Sequence, residues 1–211
     1  MIYKYIIIEG NIGAGKTSLA EKLAAEHNAR MVLEQFTDNP FLPLFYSDPE
    51  RYAFPLELSF LAERYRQLKK ETEQHDLFHT LTISDYYFMK CLIFSRQTLK
   101  NEEYRIYRQL FDILLSSVPK PDLYVYLHLP VEQLKENIRK RGRPYEQSIS
   151  AEYLRKIQDG YFEYFSREQN LSILVLDTRR IDFVTSENDY HLVAKTIINE
   201  SYNKGVTRII L

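Results

Sequence analysis

With 211 residues, 45% of them apolar, the chain has the length and composition of one globular domain with a full core. A formal net charge of −1 excludes bulk attraction to nucleic acid or to an anionic membrane, so any phosphate binding has to be local. One cysteine, Cys91, excludes an internal disulfide; with no leader pattern and no apolar run near the ~18 residues of a membrane span, a soluble cytoplasmic protein is expected.

The first element organises the rest. Ile6, Ile7 and Ile8 read as a buried parallel strand that runs into Gly10-Asn11-Ile12-Gly13-Ala14-Gly15-Lys16-Thr17, a complete G-x-x-x-x-G-K-[ST] phosphate loop. Its glycines let successive N–H groups turn inward, Lys16 is expected to reach the outer phosphates and Thr17 to hold Mg²⁺, and the helix that starts near Lys16 and continues amphipathic through Ser18–Ala24 adds its positive end to the site. A chance turn needs no Lys-Thr after its last glycine.

Downstream, Arg30–Glu34 reads as a second strand, followed by the turn Asp38-Asn39-Pro40 and a long helix from about Pro49 to Thr72, interrupted near Pro55. A third strand over Thr80–Ser84 ends on Asp85, and helices are expected over 86–99 and 102–118. Leu123–Leu129 is a fourth strand, Val131–Lys140 and Ser150–Glu168 are helical, Ser172–Leu176 is a fifth strand, and Asn188–Tyr202 a closing helix. Alternating strands and helices predict a single α/β domain over 1–211, a P-loop three-layer sandwich on a five-stranded parallel sheet with its site at the strands' carboxyl ends. Residues 205–211 are left as an extra strand or a partner-binding tail.

Two carboxylates, Glu34 and Asp85, end strands on the edge that carries the phosphate loop. One is placed to take a proton from an attacking hydroxyl and the other to bind a metal. Arg139-Lys140-Arg141-Gly142-Arg143 puts a basic cluster at a glycine break, suited to an arginine lid over about 137–149 that closes on transferred phosphate. Cys91 reads as core, His75 and His79 as a solvated helix end, and Leu58, Phe60, Leu61 and Tyr65 as core or a dimer seam.

These residues resemble the deoxyribonucleoside kinases over essentially the whole chain, and in pattern the bacterial purine (deoxyguanosine) members. Gly10–Thr17 is very like that family's phosphate loop. The resemblance implies Glu34 as catalytic base, Tyr46 and Glu146 on the sugar 3′-hydroxyl, Arg141 and Arg143 in the lid, and Asp182 and Phe183 in the loop that contacts the adenine of ATP. It also implies a homodimer. Three departures stand out: Asp85-Tyr86-Tyr87 keeps the carboxylate but lacks the arginine common after it; Asn137 stands where a further lid arginine is common, with Arg139 as a substitute; and Glu57 takes the position of the base-reading glutamine, with Arg64 one helical stretch later.

That last change points to a substrate. An ionised glutamate offers only acceptors, and guanine presents two adjacent donors, N1–H and the 2-amine, leaving O6 for Arg64. The expected reaction is ATP-dependent 5′-phosphorylation of deoxyguanosine, with Lys16, Arg141, Arg143 and Arg139 on the phosphates and Asp85 and Thr17 on Mg²⁺. Deoxyadenosine or broad specificity, a thymidylate-kinase-like monophosphate kinase and a non-catalytic nucleotide-binding subunit remain as alternatives.

Overall fold

The computed structural model describes residues 2–34, 39–73, 79–115 and 118–211. In chain order the elements are β1 (Tyr5–Gly10), α1 (Lys16–Glu26), β2 (Arg30–Val32), α2 (Phe41–Ser47), α3 (Pro49–Glu73), β3 (Thr82–Ser84), α4 (Lys90–Thr98) and α5 (Asn101–Leu115). They continue with β4 (Leu123–His128), α6 (Val131–Arg141), a 3₁₀ turn at Pro144–Glu146, α7 (Ala151–Arg167), β5 (Ser172–Asp177), α8 (Glu187–Ile198) and β6 (Gly205–Ile210). The strands pair in parallel in the order β2-β3-β1-β4-β5-β6. β1 therefore sits at the point where the strand order reverses, which opens a crevice at its carboxyl end.

Both faces of the sheet are covered. Ile6 and Ile8 pack with Leu19 and Leu23 of α1, Leu134 and Ile138 of α6, and Val193 and Ile197 of α8. Ile7 points to the other face, with Ile93 of α4 and Ile157, Tyr161 and Phe165 of α7. Burial on both sides is why β1, β4 and β5 read as unbroken apolar runs. A third cluster, built from α2, α3, α4 and α5, contains Phe45, Leu56, Leu61, Phe88, Cys91, Tyr107 and Phe111. Leu58, Phe60 and Tyr65 pack against it, and Cys91 is fully buried. No described helix is long and apolar enough to cross a membrane.

Several expected boundaries move for identifiable reasons. The sheet has six strands, because 205–210 pairs with β5 from Ser172 to Asp177. The fourth helix begins at Lys90, since the Tyr87 N–H is taken by Glu9 Oε1 (2.9 Å) and the Ser84 hydroxyl donates to the Tyr86 carbonyl (2.8 Å). α3 runs through Pro55, whose missing N–H forfeits one hydrogen bond. α2 is a short helix where only a turn-rich segment was expected. The closing helix stops at Ile198, and Tyr202 N–H donates to the Tyr3 hydroxyl (3.1 Å). Asp38 and His75 lie outside the described residues; His79 is exposed.

Truncation after Lys204 uncovers the β5 edge and should lower Tm by ~4 °C or more, read by calorimetry. An unchanged Tm would show that β6 adds no stability.

Candidate active site

The phosphate loop is clamped from outside. Gly13 (φ 83°) and Gly15 (φ 85°) adopt left-handed backbone. A Cβ on Gly13 would stand 2.7 Å from the Leu134 carbonyl oxygen of α6, and one on Gly15 would stand 2.8 Å from the Phe183 ring. Asn11 Nδ2 donates to the Leu154 carbonyl (2.7 Å), its Oδ1 accepts from Ile12 N–H (2.8 Å), and Lys16 Nζ donates to the Asn11 carbonyl (3.0 Å). The first N–H groups of α1 have no described side-chain cap, which leaves them for an anion.

Behind the loop lies a charged centre. The Asp85 carboxylate accepts from the Thr17 hydroxyl (2.6 Å) through Oδ2 and from the Glu34 N–H (2.7 Å) through Oδ1. Glu34 Oε1 accepts from Arg64 Nε (3.0 Å) and Nη2, and Oε2 accepts from Lys90 Nζ (2.6 Å). Burial alone would raise the Glu34 pKa, but Lys90 and then Arg64 outweigh it and hold the carboxyl well below the usual range. Burial, followed by repulsion from Lys90, pushes Lys16 down to about 8. Thr17 and Asp85 offer the hard oxygens that Mg²⁺ takes alongside phosphate and water.

Lys90 escaped the sequence reading. It sits where a helix starts in an apolar stretch, four residues beyond the expected arginine position. A cation buried to 6% exposure has to be paired, but sequence does not show with what.

A cavity of about 260 Å³ opens beside this centre. It brings Glu34, Tyr46, Glu57, Arg64, Asp85 and Glu146 together, with Phe45, Phe60 and Phe94 supplying flat apolar walls. Tyr46 stacks on Tyr145 (6.2 Å, 13°). Glu57 is 3% exposed and accepts from the Thr98 hydroxyl (2.8 Å). Burial pushes its carboxyl up to about 7, against the opposing pull of Thr98, Arg64 and Lys90. Besides its bonds to Glu34, Arg64 donates through Nη1 to Cys91 Sγ (3.1 Å) and stacks on Phe60 (4.7 Å). A guanidinium has five N–H groups, so donors remain for a ligand.

The basic cluster divides. Glu146, 4% exposed, accepts from Arg141 Nη2 and from Arg143 Nη1 (3.2 Å). Asn137, four residues before Arg141 on the same face of α6, donates to the Gly13 carbonyl (2.8 Å) and braces the phosphate loop. Arg139 is exposed and lines neither this cavity nor the next. At ~100° per residue it lies ~200° round the helix from Arg141, whereas Lys140, paired with Glu136 (3.0 Å), lines the cavity that contains the phosphate loop.

A second cavity of about 620 Å³ runs from Gly13–Ser18 past Asn137, Lys140, Arg141 and Arg143 to the 181–185 loop. Asp182 and Phe183 line it. The Asp182 carboxylate is committed to its own loop, accepting from Val184 N–H (3.1 Å) and the Thr185 hydroxyl (2.6 Å). The two cavities share Lys16, Thr17, Arg141 and Arg143. A ligand in each would meet at these residues, and Glu34 lines the first of the two cavities.

A family model for deoxynucleoside kinase matches residues 6–202. The Bacillus subtilis deoxyguanosine kinase is 34% identical over 194 residues, covering 90% of this chain and 94% of that protein. In Lactobacillus acidophilus, a deoxyguanosine kinase is 31% identical (95% of this chain, 92% of that protein) and a deoxyadenosine kinase 30% identical (91% and 94%). The structure of deoxyadenosine kinase from M. mycoides with bound dATP superposes with a TM-score of 0.79 over 93% of this chain and all of that one, at 21% identity, which speaks for the fold. On the motif, the fold and these relatives, the chain is a phosphotransferase and belongs to the deoxynucleoside kinase family.

Proposed function

We propose that the protein transfers the γ-phosphate of ATP to the 5′-hydroxyl of a purine deoxynucleoside, deoxyguanosine first, giving the 5′-monophosphate. The observation that carries this reading is the meeting of the two cavities at Lys16, Thr17, Arg141 and Arg143, a donor site on the phosphate-loop side and an acceptor site on the Glu57 side. The reading is further supported by both deoxyguanosine and deoxyadenosine kinases among the relatives; the choice between these bases rests on Glu57.

In this mechanism the phosphate-loop amides and Lys16 hold the donor phosphates, and Thr17 with Asp85 holds Mg²⁺. When bound, the ion neutralises charge on the outer phosphates. Glu34 accepts the 5′-hydroxyl proton. Its pairing with Arg64 and Lys90 makes it a weak base but keeps it ionised. In a loose phosphoryl-transfer transition state the hydroxyl proton moves late, so orientation matters more than basicity. Arg141 and Arg143 screen the phosphoryl oxygens, and the lid hinges at Gly142, whose φ of 73° suits a glycine. Tyr46 and Glu146 hold the 3′ side of the sugar. Guanine N1–H and the 2-amine donate to Glu57, and those donors favour its ionised form.

A monophosphate kinase needs cations free for the acceptor's own phosphate. Tyr86 and Tyr87 are buried at 4% and 5% exposure and line neither cavity, Lys90 is committed to Glu34, and the Arg64 charge is already balanced by Glu34.

Assayed with Mg-ATP against the four deoxynucleosides, deoxyguanosine should show the highest kcat/KM, and Glu57→Gln should move preference toward deoxyadenosine by ~100-fold or more. Deoxyadenosine dominant in the wild type would sink the carboxylate argument. Glu34→Gln should lose ~10²-fold or more in kcat in protein that is still folded but melts lower, because Arg64 and Lys90 lose their buried counter-charge; wild-type kcat in the folded variant would remove Glu34 from the proton transfer. Lys16 carries its charge below about 8, so kcat/KM for Mg-ATP should fall as pH rises through that value. A profile flat to ~pH 9.5 would contradict the depressed lysine.

A further inference from the structure

The base reader has a partner that sequence does not flag. Thr98 ends α4, and its hydroxyl lies 2.8 Å from Glu57 Oε1 and 3.1 Å from the Phe94 carbonyl oxygen. A hydroxyl has one proton to donate and lone pairs to accept with. Given to Glu57, that proton supports the ionised carboxylate. Given to Phe94, it leaves the Thr98 oxygen ready to accept from a neutral carboxyl. The two purines ask for opposite states. Guanine needs two acceptors, whereas adenine needs a donor for N1 beside an acceptor for its 6-amine, which a neutral carboxyl supplies.

Resting on the reading of Glu57 as the base reader, we propose that Thr98 is a positioning residue for purine choice. Its hydroxyl holds Glu57 ionised and turned to accept a guanine edge, and without that hydroxyl the preference of the pocket shifts toward adenine.

The surroundings leave this role to Thr98. Glu57 is 3% exposed, so water does not dilute a single hydrogen bond. The ionisable groups whose charge reaches it are Arg64 on its own helix, Lys90 and Cys91 on α4, Tyr46 on α2, Tyr107 on α5 and Tyr153 on α7. The thiol and the phenols are kept neutral by burial and lend no charge near neutrality. The two cations favour the anion, but both are bound to Glu34. Among the influences that oppose burial at Glu57, the Thr98 hydrogen bond comes first, and the balance leaves the carboxyl at about 7.

The test is kcat/KM for deoxyguanosine and deoxyadenosine between about pH 6 and 9 in wild type, Thr98→Val, Thr98→Ser and Glu57→Gln. The wild-type dG:dA ratio should fall as pH drops through about 7, where Glu57 takes up a proton. In Thr98→Val the ratio at ~pH 7.5 should be lower by roughly tenfold and its midpoint should move to higher pH, while Thr98→Ser restores both. Glu57→Gln should give a ratio independent of pH. A Thr98→Val profile that matches wild type overturns the role of Thr98. A wild-type ratio in Glu57→Gln overturns the base-reader assignment itself, whatever Thr98→Val does. Should Thr98→Val fail to fold by its melting curve, Thr98→Ala removes the same donor and is read by the same criteria.

Discussion

The structure depends on one buried carboxylate held between two cations. Glu34 stands just past the end of β2, Arg64 comes from α3 and Lys90 opens α4; Asp85, after β3, fixes the Glu34 backbone and reaches Thr17 on α1. Five elements are thus tied at the carboxyl ends of the strands through groups that cannot be left alone there. Replacing a buried pair by apolar residues is often neutral, but removing one member strands a charge at about 3–5 kcal/mol. Such a network adds little net stability and a great deal of position. Position is what an in-line transfer requires, since the reacting oxygen has to be held within tenths of an ångström of its path.

Arg141 and Arg143 bond to Glu146 and also line both cavities, so one basic segment borders the two. Glu146 therefore orients the arginines before any phosphate arrives. Gly142 is exposed and a 3₁₀ turn follows it, while Asn137 ties α6 to the phosphate loop.

Much of this was legible in the chain. The phosphate loop is a local motif with its context beside it, and strand-end carboxylates follow from parallel topology; Glu34 and Asp85 could be placed on the right edge without knowing any contact. Features that need long-range partners were not. Lys90 and Thr98 sit on α4, a short helix whose sequence shows neither what it faces nor which of its polar residues are buried. β6 is half-exposed at a sheet edge and short, so its alternation reads equally as a tail. Arg139 was a matter of helical phase: a basic run names the residues, but only the rotation of α6 decides that Arg141 faces the phosphate loop and Arg139 the solvent. Glu57 was found by position, while its poise near neutrality arises from burial among α2, α4, α5 and α7, which no pattern in α3 records.

The central claim is that donor and acceptor meet across the shared residues and the phosphoryl group passes once between them, with no enzyme-bound phosphate. Stereochemistry at the transferred phosphorus tests this most directly. With an isotopically chiral γ-thiophosphate donor and deoxyguanosine as acceptor, a single in-line displacement predicts inversion of configuration at phosphorus. Retention would mean two displacements through a phosphorylated side chain, and would contradict the two-cavity account.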